Sequence, residues 1–287
     1  MTARHSILPL LLLLMSVSTV AAQPYKLKLS RPWNAGQKFS LVTWTESRQT
    51  MSMTSGAEMI MHQDSLVKIY LLADGEVLDA EPAQVRYEIF KCLKFIGGDT
   101  IEVVPSGTQV IQRIDEKEFV PVTGTLPEQV LEDIGNAIGR FNTAQADENF
   151  GTGKPQFVGG SWDINISKAV SDLNEKGGFE VSDRDVTGRA TLIGLSTVRE
   201  IPTYKVRVDL DLKNVNIPGI EAFNKRNVAA IVQFEGQYPL DETMGIVKAQ
   251  LTMTMDVDAS GPVQPGGPDV VLHGRLTQSQ TAELTYQ

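Results

Sequence analysis

The chain has 287 residues, with 26 Lys+Arg against 35 Asp+Glu for a formal net charge of −9, 41% hydrophobic and 7% aromatic residues, and a single cysteine. One thiol cannot pair within its own chain, which excludes a disulfide framework. An acidic balance argues against nucleic acid, whose recognition needs a basic face, and the apolar content is too high for disorder.

Residues 1–22 read as a secretory signal peptide. Arg4 supplies the positive start, Ile7–Leu14 is almost unbroken apolar chain, and Val20-Ala21-Ala22 offers small residues for cleavage. The apolar stretch Ile7–Val20 is 14 residues long and interrupted by Pro9 and serines. That is short of the ~20 residues a spanning helix needs. The expected location is therefore periplasmic or extracellular after cleavage, with no transmembrane segment in the mature chain, residues 23–287.

From there the dominant period is two, the period of a strand with one wet and one apolar face. Strand-like runs are Lys38–Met53, Glu58–Ala73, Gln84–Ile96, Thr100–Pro105 and Thr108–Ile114, with turn signals at Thr54-Ser55-Gly56, Gly97-Gly98-Asp99 and Ser106-Gly107. Cys92, inside the third run, reads as a buried small hydrophobe. The pattern then changes. Val130, Leu131, Ile134, Ala137, Ile138 and Phe141 recur at helical spacing, with Thr125 three residues before Glu128 as a capping box and Pro127 in the first turn. This predicts an amphipathic helix from Leu126 to about Phe141. The polar stretch 142–160 reads as a connection between two consecutive β-rich lobes of one domain.

The second lobe resumes with Trp162–Ser167, Phe179–Val186 and Arg189–Val198, the last two joined by a turn at Thr187-Gly188. A weak helical turn is signalled at Gly219–Lys225. Tyr204, Val206, Val208, Leu210 and Leu212 alternate with charged residues, as do Ala249, Leu251, Met253, Met255 and Val257 with polar ones. Val228–Glu235, Val270–Arg275 and Thr281–Tyr286 complete the set, with a reversal at Asp241–Gly245. Clean alternation marks an antiparallel sheet, because parallel strands are covered on both faces and read as continuous apolar runs.

About a dozen strands at ~4.8 Å spacing and about 25 Å long present on the order of 1,400 Å² of apolar face. A sixteen-residue helix shelters only about 240 Å². Apolar patches above a few hundred Å² are rare on soluble monomers, so the sheet has to curl, fold over itself, or hold a ligand or partner. The expected architecture is mainly β: a large curved antiparallel sheet, a half-barrel, with one principal amphipathic helix packed on its concave face. A membrane barrel is disfavoured by the low aromatic content and the mid-chain helix.

This pattern resembles the LolA-like family of periplasmic lipoprotein carriers, and more closely the secreted bacterial families of unknown function related to that fold. The matching features are the leader, the meandering strands, the helix in the first half, the hairpin from Gly236 through Asp241 and Gly245 into Ile246–Val257, and the step Gly160-Ser161-Trp162 after a polar loop. The resemblance implies the half-barrel fold and places no family site residue on this sequence.

Catalytic and metal motifs are missing. Beyond the leader the histidines are His62 and His273. Gly194-Leu195-Ser196-Thr197-Val198 fails as a nucleophile elbow, and two His with one Cys show no zinc spacing. Gly151-Thr152-Gly153-Lys154 is followed by Pro155 and fails as a phosphate loop. Asp183-Arg184-Asp185-Val186-Thr187-Gly188 opens like a calcium loop, yet Gly194 stands where the bidentate acid belongs. Asp209/Asp211 and Asp256/Asp258 sit on wet strand faces rather than in a desolvated pair. The methionines Met51, Met53, Met59 and Met61 read as one apolar face shared with Val67, Ile69 and Leu71.

No enzyme, no cofactor and no metal is expected. The expected function is a non-enzymatic secreted or periplasmic binding protein holding a lipid or other apolar ligand, lined by Val130, Leu131, Ile134 and Ile138 of the helix and by Met253 and Met255 of the sheet. The alternative is an envelope scaffold or protein-interaction module, with an envelope protein as partner and no small-molecule ligand.

Overall fold

The computed structural model describes residues 23–31, 33–81, 83–114, 116, 118–139, 146–176, 179–220, 223, 225–262 and 267–287. The leader expected at 1–22 lies outside the described residues, as do 140–145, into which the predicted helix end and part of the predicted connection fall. In chain order the elements are β1 (Lys38–Ser55), β2 (Glu58–Ala80), β3 (Ala83–Ile96), β4 (Asp99–Glu102), β5 (Thr108–Arg113), β6 (Glu118–Pro121), α1 (Glu128–Ile138), α2 (Ala146–Phe150), β7 (Ser161–Asp163), α3 (Ile166–Lys176), β8 (Val186–Val198), β9 (Ile201–Leu212), β10 (Lys225–Pro239), β11 (Lys248–Pro262) and β12 (Asp269–Tyr286).

All the strands join one antiparallel sheet in the order β6-β5-β3-β2-β1-β12-β11-β10-β9-β8-β7, with β4 beside β3. The chain meanders outward from β1 to β6, crosses through the helices, and returns from β7 inward. The last strand, β12, lies between β1 and β11 and joins the two halves at the middle. β6 and β7 end the strand order, so the sheet is open and not closed into a barrel. The chain after Ala259, which includes a Pro/Gly-rich stretch, thus supplies a central strand.

Alternation along the strands makes one face almost wholly apolar. Phe39 and Leu41 of β1, Ile69, Leu71, Ala73 and Val77 of β2, Val206, Val208 and Leu210 of β9, and Ala282 and Leu284 of β12 are all buried there. We call this the inner face. α1 lies on it, its Ile134, Ala137 and Ile138 buried. Thr45 and Gln280 hydrogen-bond the helix's last carbonyls: Thr45 Oγ1 donates to Asn136 O at 3.3 Å, and Gln280 Nε2 to Asn136 O at 3.0 Å and Ala137 O at 3.1 Å. At the other side of the helix Lys94 pairs with Asp133 at 2.8 Å.

Several sequence expectations need correction. The helix begins at Glu128 with Pro127 as N-cap and no side-chain cap bond, so the Thr125/Glu128 capping box does not form. Trp162–Ser167 is a strand only to Asp163. Ile166, Ala169, Val170 and Leu173 then form one apolar face of α3, a second helix as long as α1, entered through Asn165, whose Oδ1 accepts the Lys168 N–H at 3.3 Å. Within the polar connection, α2 is held between Asn165 N donating to Asn149 O at 2.9 Å and Trp162 Nε1 donating to Phe150 O at 2.8 Å.

Phe179–Val186 is not a strand: Glu180 makes an isolated bridge to Asn216, and a single 3-10 turn at Asp183–Asp185 leads into β8. Gly188 is not at a turn either. It sits inside β8, where a Cβ would stand 2.6 Å from Leu210 and 2.7 Å from Ile164, so the missing side chain serves close packing. The real hairpin is two residues long, Arg199-Glu200, with φ of 46° and 68° between paired Val198 and Ile201. Near the weakly signalled Gly219–Lys225, Phe223 packs on the sheet, while 221, 222 and 224 lie outside the described residues.

Candidate functional site

Of the six residues expected to line a ligand, Ile134, Ile138 and Met255 are buried in the main apolar cluster, Val130 and Met253 are half-buried against it, and Leu131 is half-buried. The helix residues lie under α1 itself. Met253 and Met255 lie on β11, beyond the point where Gln280 meets α1's last turn, because Leu251 is the residue of β11 opposite Gln280.

Past that point the inner face continues in four rows across β1, β12 and β11. Register places Ser47–Gln278–Met253 in the first, Gln49–Leu276–Met255 in the second, Met51–Gly274–Val257 in the third and Met53–Leu272–Ala259 in the fourth. Phe223 closes the far end by packing with Ala259, Val270 and Leu272. From Thr45 to Met53 the chain rises about 26 Å at ~3.3 Å per residue. Along that span Met51, Met53, Leu276, Met253 and Val257 are half-buried, while Met255, Leu272 and Ala259 of the same rows are buried. Gly274 leaves the floor of the third row bare: a Cβ there would meet only Val257 Cβ at 3.6 Å and Thr50 O at 3.7 Å, ordinary contact distances. We call this half-buried strip of thioethers and branched aliphatics the trough, with Ser47, Gln49 and Gln278 supplying polar groups at its α1 end.

Sequence reading missed this trough because its residues alternate with polar ones like any other strand. It named Met51 and Met53 as apolar packing but placed Met59 with them. A bulge shifts the register so that Met53 faces Met61 and Thr54 faces Met59, with Ile60 as the extra residue. Met59 thus belongs to the opposite, outer face.

The residues weighed for catalysis and metal do not converge as read. Asp183 accepts a hydrogen bond from Ser167, and Asp185 accepts one from Asn214 at 2.7 Å, so both anchor the turn before β8. Cys92 is buried, and burial, with the Asp133 charge second, pushes its thiol up to about 12. A recess of about 240 Å³ lies against Lys38, Asp74, Glu76, Arg86, Glu88 and Gln287. Glu76 pairs there with both Arg86 and Lys38, and Asp74 accepts from Ser40 at 2.6 Å. No helix among the described residues is long and apolar enough to cross a membrane.

No family model matches the chain, and no curated protein matches it. Among solved structures, P47 from Clostridium botulinum A2 is similar at 8% identity over 77% of this chain and 75% of its own, with a TM-score of 0.18. The outer membrane protein OprG from Pseudomonas aeruginosa is similar at 8% over 90% and 98%, with a TM-score of 0.16. A DUF1329 family protein from Desulfovibrio piger is similar at 11% over 80% and 83%, with a TM-score of 0.10. Overlaps this low assign the chain to none of these folds, and none of the three is named as a LolA-like carrier. What stands is a mainly β chain built on one open antiparallel sheet, with a half-buried apolar trough where its two halves meet.

Proposed function

We propose that the protein is a non-enzymatic, secreted or periplasmic binding protein that holds a lipid or another elongated apolar molecule in the inner-face trough. The observation that carries this reading is the half-buried strip Met51, Met53, Leu276, Met253 and Val257, which lies between α1 and Phe223 on the inner face. Contiguous apolar surface of this kind marks a binding region, and flexible thioethers adapt to ligands of varied shape. The polar groups Ser47, Gln49 and Gln278 at one end suit a head group, while the rest suits an acyl chain.

The test is extraction of purified protein with organic solvent followed by mass spectrometry, together with uptake of a fluorescent fatty acid. Gly274→Leu fills the floor of the trough from a strand position whose backbone accepts a side chain. We expect it to fold and to lose uptake by at least about tenfold. Uptake unchanged in this variant, or a clean extract with no uptake at all, would refute the reading.

A second reading rests on a separate observation. β2 pairs with β3 only from Val67 onward, so Glu58–Leu66 is a strand edge with no sheet neighbour on that side among the described residues. It carries exposed Met59 and Ile60. An edge of this kind accepts an extended segment of a partner protein by strand addition. In-cell crosslinking from position 60 that returns a discrete envelope protein, with no lipid in the extract, would favour an interaction module over a carrier.

A further inference from the structure

The chain contains three histidines, and the two among the described residues, His62 and His273, are far apart in sequence yet share one row of the outer sheet face. Ser52 of β1 pairs with His62 of β2 on one side and with His273 of β12 on the other, and His273 pairs in turn with Asp258 of β11. Their Cα atoms are two strand spacings apart, about 9.6 Å. A metal bridging two imidazole nitrogens at ~2.0 Å each requires the nitrogens to stand about 4 Å apart, so each ring has to lean about 2.8 Å over Ser52. The serine between them is small enough to allow it.

Two further features favour a ligand role. His273 Nδ1 lies 2.6 Å from Asp258 Oδ1, on the side away from β2. A carboxylate on Nδ1 leaves Nε2 at the opposite edge of the ring as the free donor, and this carboxylate–imidazole arrangement orients metal-binding histidines and raises their basicity. The bulge at Ile60 turns Met59 onto the same face, next to His62, where it is 62% exposed. Its flexible thioether has about 6.6 Å to cover from its own row to that of Ser52.

The surrounding charges are already matched. Arg48 pairs with Asp64 at 2.9 Å and Arg275 with Asp256 at 3.6 Å. No group of three or more His, Cys, Asp or Glu side chains converges among the described residues, so a closed zinc-type site is not built.

We propose that His62 and His273, with Met59 as third donor and Asp258 behind His273, bind one copper ion on the outer face. Two imidazoles and a thioether form a donor set that favours copper over harder or borderline ions, through the high affinity of Cu(II) for nitrogen and of Cu(I) for sulfur. The site is on the face opposite the trough and stands or falls independently of the carrier reading.

The experiment is titration of the tag-free full chain with copper salts alone, as Cu(II) and as Cu(I) under a reductant, with zinc as comparator. Calorimetry and competition against a chromophoric chelator give stoichiometry and affinity. We expect one ion per chain, at least about tenfold weaker binding in His62→Ala and in His273→Ala, and a smaller loss in Asp258→Asn. Met59→Leu should weaken Cu(I) and leave zinc unchanged, and His5→Ala and Ser52→Ala should change nothing. Circular dichroism of each variant shows that the fold is intact. Binding that survives both histidine substitutions, or no binding at all, overturns the site. Zinc bound as tightly as copper, with Met59→Leu silent for both, overturns the assignment of copper.

Discussion

Arg31 is 2% exposed and is the largest fully buried side chain among the described residues. It belongs to the extended segment that precedes β1, in which Leu27 and Leu29 are buried against the sheet. Its guanidinium donates to Pro239 O at 2.7 Å, to Asp241 O at 3.0 Å and to Tyr204 Oη at 3.2 Å, and lies 5.9 Å from the Tyr238 ring centroid. Tyr204 in turn accepts the Lys28 N–H at 2.9 Å, so one tyrosine is gripped from two points of the segment. Arg31→Ala removes the donors of the buried Pro239 carbonyl and of the Asp241 carbonyl, the latter in a part-buried bond, at the β10 turn. Each such loss costs about 1–3 kcal/mol, and water entering the vacated volume recovers part of it. We therefore expect a loss of about 3 kcal/mol. With a urea m-value of about 3 kcal/mol/M for a chain of this size, the unfolding midpoint should drop by about 1 M.

Tryptophan fluorescence against urea reads the midpoint, and trypsin susceptibility at Lys26 and Lys28 reads the segment itself. Arg31→Lys keeps the charge but cannot reproduce the planar fork, and should recover less than half of the loss. A midpoint shift below about 0.3 M at unchanged m, with early cleavage at Lys26 and Lys28, would show that the segment peels off on its own. That result would refute the claim that Arg31 binds it into the cooperative unit.

Other measurements bear on the core. Cys92 should stay unreactive to a thiol reagent at neutral pH and give one equivalent in denaturant, since burial lifts its thiol to about 12. Fast native labelling would contradict that. Burial raises Tyr87, Tyr204, Tyr238 and Tyr286 above the ordinary value of 10.0. Below that value both states keep their phenolic protons, and above it only the unfolded state releases them. Stability should therefore be unaffected by these groups near neutrality and fall steeply with pH beyond about 10, read as urea midpoints at pH 9 and 11. Equal midpoints would count against it. In a double-mutant cycle, Lys94→Ala with Asp133→Ala should show coupling above about 1 kcal/mol, because side-chain exposures of 20% and 11% leave little screening. The exposed Arg48–Asp64 pair should show no resolvable coupling, because solvent screens both charges.

The strands were legible wherever apolar residues alternate with polar ones, and the reasons for failure are local. β12 reads as two fragments because Leu276-Thr277-Gln278-Ser279-Gln280 breaks the apolar alternation. Gln280 is nonetheless buried, because its amide satisfies two carbonyls at the end of α1. A buried polar group with a remote partner looks like surface in a sequence. α3 was signalled by Asn165 and by Ile166, Ala169, Val170 and Leu173, but the alternation of Trp162, Asp163 and Ile164 just before it masked the change of period. The Arg199-Glu200 hairpin carries no glycine although both residues are left-handed, and Gly188 looks like a turn but relieves contact with Leu210 and Ile164. The histidine row was illegible for a plainer reason: neighbours across strands have no fixed sequence spacing.

Area explains why the trough lies where it does. Two helices of 11 residues each span about 16 Å apiece and together shelter about 330 Å². That is more than one helix was expected to cover and still a fraction of the sheet's apolar face. The helices also sit apart, α1 against β1, β2 and β6, with its Asp133 paired to Lys94 of β3, and α3 against β8. The segment before β1 locks onto β9 and β10 through Tyr204 and Arg31, and Phe223 covers only the far end. Every cover is thus tied to one half of the chain or the other, while β1, β12 and β11 form the seam between them. Beyond the last turn of α1 neither half contributes a lid to that seam among the described residues. On the proposed reading an elongated apolar molecule binds there, along Met51, Gly274 and Val257. A substitution that fills Gly274 should therefore act on binding while leaving both halves of the core as they are.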